Sequence, residues 1–238
     1  MLKHILPLIP PHRVYVEPFC GSAVVMFGKE PAKIEVLNDT NGRLINFMRV
    51  LRDRPAELQR VLDLTPYSRR ESKLARELSD DSVEDARRFF VCHAQNYMGI
   101  SGRGWLATNR TSRPHTLKNY TDRIDALAAR IRTAHLDDYD AIKVIKNWDC
   151  ADAFFFIDPP YVGTEQGHYK GYKQADLDRL IKTLQSVKGK FILCGYPKNL
   201  KMKNLHIVEI KLKAYGINIK KRNSTEVMAM NFTPSVPT

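Results

Sequence analysis

The 238-residue chain lacks most of what a secreted, membrane-embedded or zinc-stapled protein needs. Its four cysteines, Cys20, Cys92, Cys150 and Cys194, are widely spaced and contain no Cys-x-x-Cys pair. That argues against a disulfide framework or a zinc ribbon and makes reduced cytoplasmic thiols the default. No apolar run approaches the roughly 20 residues of a membrane span, and Ala153 to Ile157 is among the longest. The N-terminal stretch MLKHILPLIPPH is too short and too proline-rich for a signal peptide, and it has no cleavage site. There is no internal repeat and no Gly-x-Gly-x-x-Gly pyrophosphate fingerprint. Between Ala86 and Tyr120 there is also not one Asp or Glu.

That last absence sits in a chain with a large cationic excess. Lys and Arg number 38 against 26 Asp and Glu, a formal charge of +12. Such a balance favours polyanionic partners through counterion release and long-range steering. The acid-free window holds six Lys/Arg, together with Tyr97, Trp105, Tyr120 and the loop Gly99-Ile100-Ser101-Gly102-Arg103-Gly104. Cations interleaved with aromatics and glycines suit phosphate contact and base stacking. A second basic stretch, Lys198 to Arg222, carries eight Lys/Arg against Glu209 alone.

Short apolar runs alternate with amphipathic stretches, the pattern of an α/β domain. Val14 to Glu17 predicts a buried strand, followed by a glycine turn and a helix over Ala23 to Phe27. Ile34 to Leu37 predicts a second strand ending at Asn38-Asp39. Thr40 is positioned to cap the next helix, where Leu44, Phe47, Met48 and Leu51 fall on one face. From Pro55 to about Thr133 the sequence is charged and helix-forming, with helices expected over Glu84 to Ala94 and Asp122 to Ile131. The strand-helix rhythm returns with Ala153 to Ile157, the stripe Leu177, Leu180, Ile181, Leu184 and Val187, and a strand over Phe191 to Cys194. His206 to Lys213 and Glu226 to Phe232 are suited to pair as an antiparallel ribbon.

Two constellations carry chemistry. The first is the run Glu17-Pro18-Phe19-Cys20-Gly21-Ser22 between a strand and a helix, with Asp39 at the end of the next strand. A turn glycine lets the backbone approach a ligand, and an acid at the second strand's end can take ribose hydroxyls. With a single glycine, the better ligand is a nucleoside cofactor without a diphosphate. The second is Asp158-Pro159-Pro160-Tyr161, directly after a strongly apolar strand. Two prolines lead the chain rigidly out of the sheet with their carbonyls unclaimed. Asp158 and a prolyl carbonyl can accept the hydrogens of an exocyclic amine while Tyr161 offers a flat face to an extruded base. The plainer alternative is a strand that ends in a proline turn.

Together with Tyr15 to Ser22 and Glu35 to Asp39, Asp158 to Tyr161 closely resembles the Dam-type adenine-N6 DNA methyltransferases, particularly phage and prophage members. The resemblance takes in Asp137-Asp138-Tyr139, His168 to Tyr172, Cys194-Gly195-Tyr196 and Glu226 to Phe232, and it keeps the family's motif order. It implies a Rossmann-like S-adenosylmethionine-dependent α/β domain built from residues 1–54 and 133–238. A helical target-recognition insertion, residues 55–132, would interrupt it. It further implies methyl transfer from S-adenosylmethionine to the N6 amine of a flipped adenine in double-stranded DNA, without a metal, in a bacterial or phage-infected cell. Asp158, Pro159, Pro160 and Tyr161 would be catalytic. Glu17, Pro18, Phe19, Cys20, Gly21, Ser22, Asp39, Asp138 and Tyr139 would hold the cofactor. Arg103, Trp105, Asn109, Arg110 and Arg113 are the expected DNA contacts. Family members carry a Gly-Gly-Lys-type motif before the segment that begins here at Ile5, whereas this sequence starts at Met1-Leu2-Lys3; reduced cofactor affinity is the corresponding expectation.

The alternatives are N4-cytosine methylation, RNA adenine methylation, and a non-catalytic DNA-binding relative. Cytosine-C5 methylation needs an activated cysteine nucleophile, and none of the four cysteines has the Pro-Cys context of that class.

Overall fold

The computed structural model describes residues 2–96, 104–108, 111–162, 171–197, 202, 204–213 and 223–234. In chain order the elements begin α1 (Leu2–Ile5), β1 (Val14–Glu17), α2 (Val24–Gly28), β2 (Ile34–Asn38) and α3 (Gly42–Asp53). There follow α4 (Pro55–Asp63), α5 (Arg69–Leu74), α6 (Ser82–Ala94), α7 (Arg113–Thr121), α8 (Ile124–Ile131) and β3 (His135–Asp137). The chain ends with α9 (Ala141–Trp148), β4 (Ala153–Ile157), α10 (Gln174–Leu184), β5 (Lys190–Gly195), β6 (His206–Lys213) and β7 (Asn223–Met230). It divides into two compact units, residues 1–40 with 139–238 and residues 41–138. The segment 55–132, set apart in the sequence by its helical composition, lies inside the second unit.

In the first unit the strands run β2-β1-β4-β5-β7-β6. The first four are parallel, with Val16 opposite Val36 on one side and Phe155 on the other. β7 and β6 then add antiparallel, with Cys194 opposite Met228 and Val208 opposite Met228 in turn. The ribbon expected from His206 to Lys213 and Glu226 to Phe232 is therefore present, its second strand starting earlier, at Asn223. Parallel strands buried on both faces read as continuous apolar runs, which is why Val14–Glu17 and Ala153–Ile157 are buried throughout. One face, formed by Val14, Val16, Phe155, Ile157, Phe191 and Leu193, packs on Val144 and Ile145 of α9 and on Leu177, Leu180, Ile181 and Leu184 of α10.

From β1 the chain moves outward to β2, and from β4 it moves the other way to β5. The strand order thus reverses between β1 and β4. In open α/β sheets a crevice forms outside the carboxyl ends of the strands at such a switch. Glu17-Pro18 and Asp158-Pro159 leave β1 and β4 at that crevice.

The second unit is largely helical among its described residues. Asn41 and Asp81 cap α3 and α6, accepting from Leu44 N–H at 3.4 Å and from Val83 and Glu84 N–H at 2.8 Å each. The cap of α3 is one residue later than Thr40, because the β2 strand and its turn run one residue further. α3 packs against α6 and α8, with Phe47 stacked near Phe89 and Phe90 and Arg43 paired to Asp85 at 3.0 Å. No helix among the described residues is long and apolar enough to cross a membrane, and none of the four cysteines forms a disulfide.

Gly189 ends the connection from α10 into β5. A Cβ there would lie 2.8 Å from the Ala153 carbonyl oxygen and 2.9 Å from the Phe155 ring. Its carbonyl also accepts from the Asn231 side chain at 2.9 Å. The Gly189→Ala substitution should therefore lower unfolding free energy by about 1–3 kcal/mol through overpacking, measured by chemical denaturation.

Candidate active site

The turn after β1 is held from three sides. The Cys20 N–H donates to the Asn38 carbonyl at 2.8 Å, and the Ala23 N–H closes back on the Cys20 carbonyl at 2.7 Å. The Gly21 N–H donates to the Asp39 carboxylate at 3.1 Å. Gly21 has φ +47° and Ala23 φ +50°. Glycine adopts that left-handed region freely, whereas an alanine there costs on the order of 1–2 kcal/mol. Asp39, read from the sequence as a cofactor ligand, is buried and fixes this turn.

Asn38 is fully buried and spends its whole side chain as a clamp. Its amide nitrogen donates to the Pro18 carbonyl at 2.9 Å and to the Tyr139 carbonyl at 3.0 Å, while its oxygen accepts from the Tyr139 N–H at 2.9 Å. The clamp ties the β1 turn to the start of α9, where Asp140 caps the helix by accepting from the Ile142 N–H at 3.0 Å. Sequence reasoning named Asn38 only as part of a motif. Its signal was a polar side chain ending an otherwise apolar strand, which a buried environment tolerates only when every hydrogen bond is made.

Glu17, at the end of β1, is 1% exposed. Its Oε1 accepts from the Tyr15 hydroxyl at 2.7 Å and from the Met26 N–H at 2.9 Å, capping α2 from a distance. Burial raises its carboxyl to about 7, against the lowering effect of those two bonds. Behind it, Lys29 lies over the Tyr15 ring at 4.3 Å and forms a 2.8 Å ion pair with Glu35. The two side chains of that pair are 5% and 2% exposed.

A cavity of about 380 Å³ opens in front of these groups. It is lined by Glu17, Phe19 to Ser22, Asp158 to Tyr161, Cys194 and Glu226, with Ile5, Val24, Val25 and Phe156 completing its wall. Asp158 opens onto the cavity but is crowded by protein on its other sides. Desolvation raises it to about 6, opposed by a hydrogen bond from Tyr161 and helped by the charge of Glu226. The Tyr161 hydroxyl is pushed up, first by burial and then by Asp158. Glu226 was not singled out as a site residue in the sequence. The β5–β7 register places it one step beyond the Gly195–Val227 pair, at the same edge as the tetrapeptide Asp158 to Tyr161. Burial raises its carboxyl too, and it raises the thiols of Cys20 and Cys194 well above their ordinary value, so neither is a ready nucleophile.

A second cavity, about 250 Å³, shares Phe19 and Pro160 with the first and is lined further by Thr40, Asp140, Ala141, Ile142, Tyr172, Asp176, Arg179 and Leu180. Asp138 and Tyr139 line neither cavity; both are exposed, and the Tyr139 ring lies 4.2 Å from the Lys143 ammonium. Pro18 is likewise absent from both walls. It supplies the carbonyl that Asn38 holds.

The expected DNA contacts divide three ways. Arg103, Asn109 and Arg110 lie outside the described residues. Trp105 is half-buried, bridged to Asn96, 5.5 Å from the Tyr67 ring and 5.1 Å from the Arg69 guanidinium, so its ring is packed. Arg113 opens α7. Within the acid-free window, Arg87 pairs with Glu71 and Glu84 at 2.7 Å each and Arg88 with Glu84 at 2.7 Å. Those acids lie outside the window, and the count along the sequence missed them.

The sheet order, the switch-point crevice and the carboxylate-lined cavity define a Rossmann-like methyltransferase domain. The chain belongs to the D12 class of N6 adenine-specific DNA methyltransferases, whose family model matches residues 1–228, and it is a DNA adenine methyltransferase. It is similar to the Type II methyltransferase M1.LlaDCHI of Lactococcus lactis subsp. cremoris, at 25% identity over 98% of this chain and 91% of the relative. Among solved structures, a conserved hypothetical protein of Streptococcus pyogenes matches with a TM-score of 0.41 and 12% identity, covering 97% of this chain and 92% of its own. The rRNA methyltransferase AviRa of Streptomyces viridochromogenes matches with a TM-score of 0.43 and 9% identity, covering 96% and 81%.

The raised carboxyl of Glu17 carries a stability cost. An acid whose folded pKa is about 7 against an ordinary 4.5 binds its proton more tightly when folded. Stability is therefore lost as pH rises from the unfolded value through the folded one. The Glu17→Gln variant keeps an oxygen for Tyr15 and Met26. Its melting temperature should exceed the parent's at pH 8 by roughly 2–4 °C and match it near pH 4; an equal difference at both pH values would refute the assignment.

Proposed function

We propose that the methyl donor is S-adenosylmethionine, bound across the two cavities that meet at Phe19 and Pro160, and that the acceptor is an adenine flipped from double-stranded DNA. The observation that carries this reading is the first cavity's wall: three carboxyl groups, Glu17, Asp158 and Glu226, and no Lys or Arg among its described lining residues. Such a wall suits a ligand with a sulfonium and an ammonium group, and an acceptor that presents an amine. When bound, the donor supplies an electrophilic methyl group.

The chain's own residues have separable tasks. Glu17, Phe19, Cys20, Gly21 and Ser22 form the wall around the donor, and Pro18, Asn38 and Asp39 hold that wall in shape. Asp140, Ala141 and Ile142 stand beside Phe19 and Pro160 at the second cavity, the task the sequence reading gave to Asp138 and Tyr139. Asp158 and the Pro159 carbonyl accept the two hydrogens of the target amine and orient its lone pair, and Pro160 fixes the exit of the chain. Tyr161 faces the base. Positioning and electrostatics of this kind need no covalent enzyme intermediate. The helical segment 55–132 is the target-recognition part, with Arg113 among its phosphate contacts. A fixed recognition sequence, as in a Type II restriction-modification pair, is supported by the name of the lactococcal relative.

Two experiments test this. The Asp158→Ala variant should lose roughly a hundredfold or more in methylation rate, on the order of 3 kcal/mol, with much less change in donor affinity. Near-parental methylation of DNA, read by nucleoside analysis, would remove Asp158 from the chemistry, and an N4-methylcytosine product would redirect the reading to that amine. Donor affinity should also fall with pH, because a cation prefers the ionised carboxyls. Calorimetry should show it weakening as pH drops through about 7, the value for Glu17. Pre-transfer affinity independent of pH from 5 to 8 would mean that Glu17 does not face the donor's charge.

A further inference from the structure

Glu226 is in the wall of the catalytic cavity, yet beyond its share of the wall's charge the proposed chemistry gives it no task. It arrives there from β7, far along the chain from the tetrapeptide, through the antiparallel pairing of β7 with β5. Its Oε2 is 3.5 Å from the Tyr161 hydroxyl, which donates to it. That hydroxyl has a second carboxylate, Asp158, within hydrogen-bonding reach. A phenol has one proton to donate. Two carboxylates therefore compete for it, one on each side. The Tyr161 ring is meanwhile held edge-on against Tyr196, with centroids 4.8 Å apart and planes at 68°.

We propose that Glu226 is a positioning residue for methyl transfer, drawing the Tyr161 hydroxyl away from Asp158 so that the Asp158 oxygens are free for the target amine. The inference rests on the catalytic reading of Asp158 and deepens it. With the hydroxyl engaged by Glu226, the ring is fixed at both ends, by Tyr196 at its edge and by Glu226 at its oxygen. Without Glu226 the phenol turns its proton to Asp158 and occupies the acceptor that the amine needs. The groups around Asp158 are Glu17 from β1, Tyr161 on its own loop, Cys194 from β5 and Glu226 from β7. Burial raises the proton affinity of Asp158, the phenol lowers it and the charge of Glu226 raises it further, so Glu226 also helps to set where the carboxyl loses its charge.

The test uses the full chain, with Glu226→Gln and Glu226→Leu, each made alone and with Tyr161→Phe. Glu226→Leu should reduce kcat for DNA methylation about tenfold or more while KM for DNA and donor stay within about twofold, since the lost interaction acts on the reacting amine. Glu226→Gln, which can still accept from the phenol, should recover most of that loss. In the Tyr161→Phe background, which has no hydroxyl to divert, Glu226→Leu should cost less than about threefold, as expected of coupled residues. In both single variants the acid limb of the rate profile should move to lower pH, because a negative neighbour of Asp158 is gone. A loss of the same size with and without the Tyr161 hydroxyl, a raised KM at parental kcat, or an unmoved acid limb would overturn the inference. Should Glu226→Leu fail to fold by circular dichroism, Asp158 titrated by carboxyl NMR in Glu226→Gln decides alone: a lower pKa supports the role and an unchanged one refutes it. A parent chain that methylates no DNA would overturn the site chemistry itself, and this inference with it.

Discussion

The pairing of Val14 to Val16 with Ala153 to Phe155 is the constraint on which the site depends. It joins two stretches separated by the whole helical unit and creates the point where the strand order reverses. In that register β4 runs one residue beyond β1, and the acids at the two strand ends, Glu17 within β1 and Asp158 just past β4, open onto one cavity. Every later feature of the site is built outward from that edge. β2 adds Asn38 and Asp39 behind the turn, and β5 with β7 adds Cys194 and Glu226 on the far side.

Burial gives this edge its character. A polar group removed from water must be satisfied by the protein, or its absence of partners costs free energy. Asn38 meets that condition with three hydrogen bonds to backbone. Glu17 meets it on one oxygen, and burial still raises its proton affinity. The distinction separates residues whose hydrogen bonds hold the turn in shape from acids that line the cavity. Asp39 belongs with the first, because its carboxylate already accepts from the Gly21 N–H.

Much of this was legible in the sequence, and the limits have a common cause. The parallel strands show as short apolar runs because both of their faces are buried, and the tetrapeptide Asp158 to Tyr161 shows because an acid and two prolines set it off at the end of such a run. Local chemistry of that kind survives in a linear reading. Partnerships across the fold do not. Glu226 reads as one more residue of a ribbon until the β5–β7 register brings it beside Tyr161. Arg87 and Arg88 read as free cations until the fold folds Glu71 and Glu84 against them. Trp105 reads as a base-stacking ring, while Tyr67 and Arg69 pack against it. The cap of α3 fell one residue late because Thr40 and Asn41 are both competent caps, and only the length of the preceding turn chooses between them.

The charge of the cavity links stability to the proposed reaction. Carboxyls buried in a crevice resist ionisation, first because burial disfavours their charge and then because they repel one another. They therefore weaken the protein as pH rises, a trade common where function needs a strained arrangement. In the proposed reaction a cationic ligand would offset that cost. Methyl transfer moves positive charge from the donor toward the target nitrogen. In the proposed reaction the carboxyls would serve both ends of that shift: Glu17 stands on the β1 side of the cavity and Asp158 with Glu226 on the side of β4, β5 and β7. A wall of acids held by the sheet would then favour the positive charge that develops at the amine, using groups that the strand order has brought together.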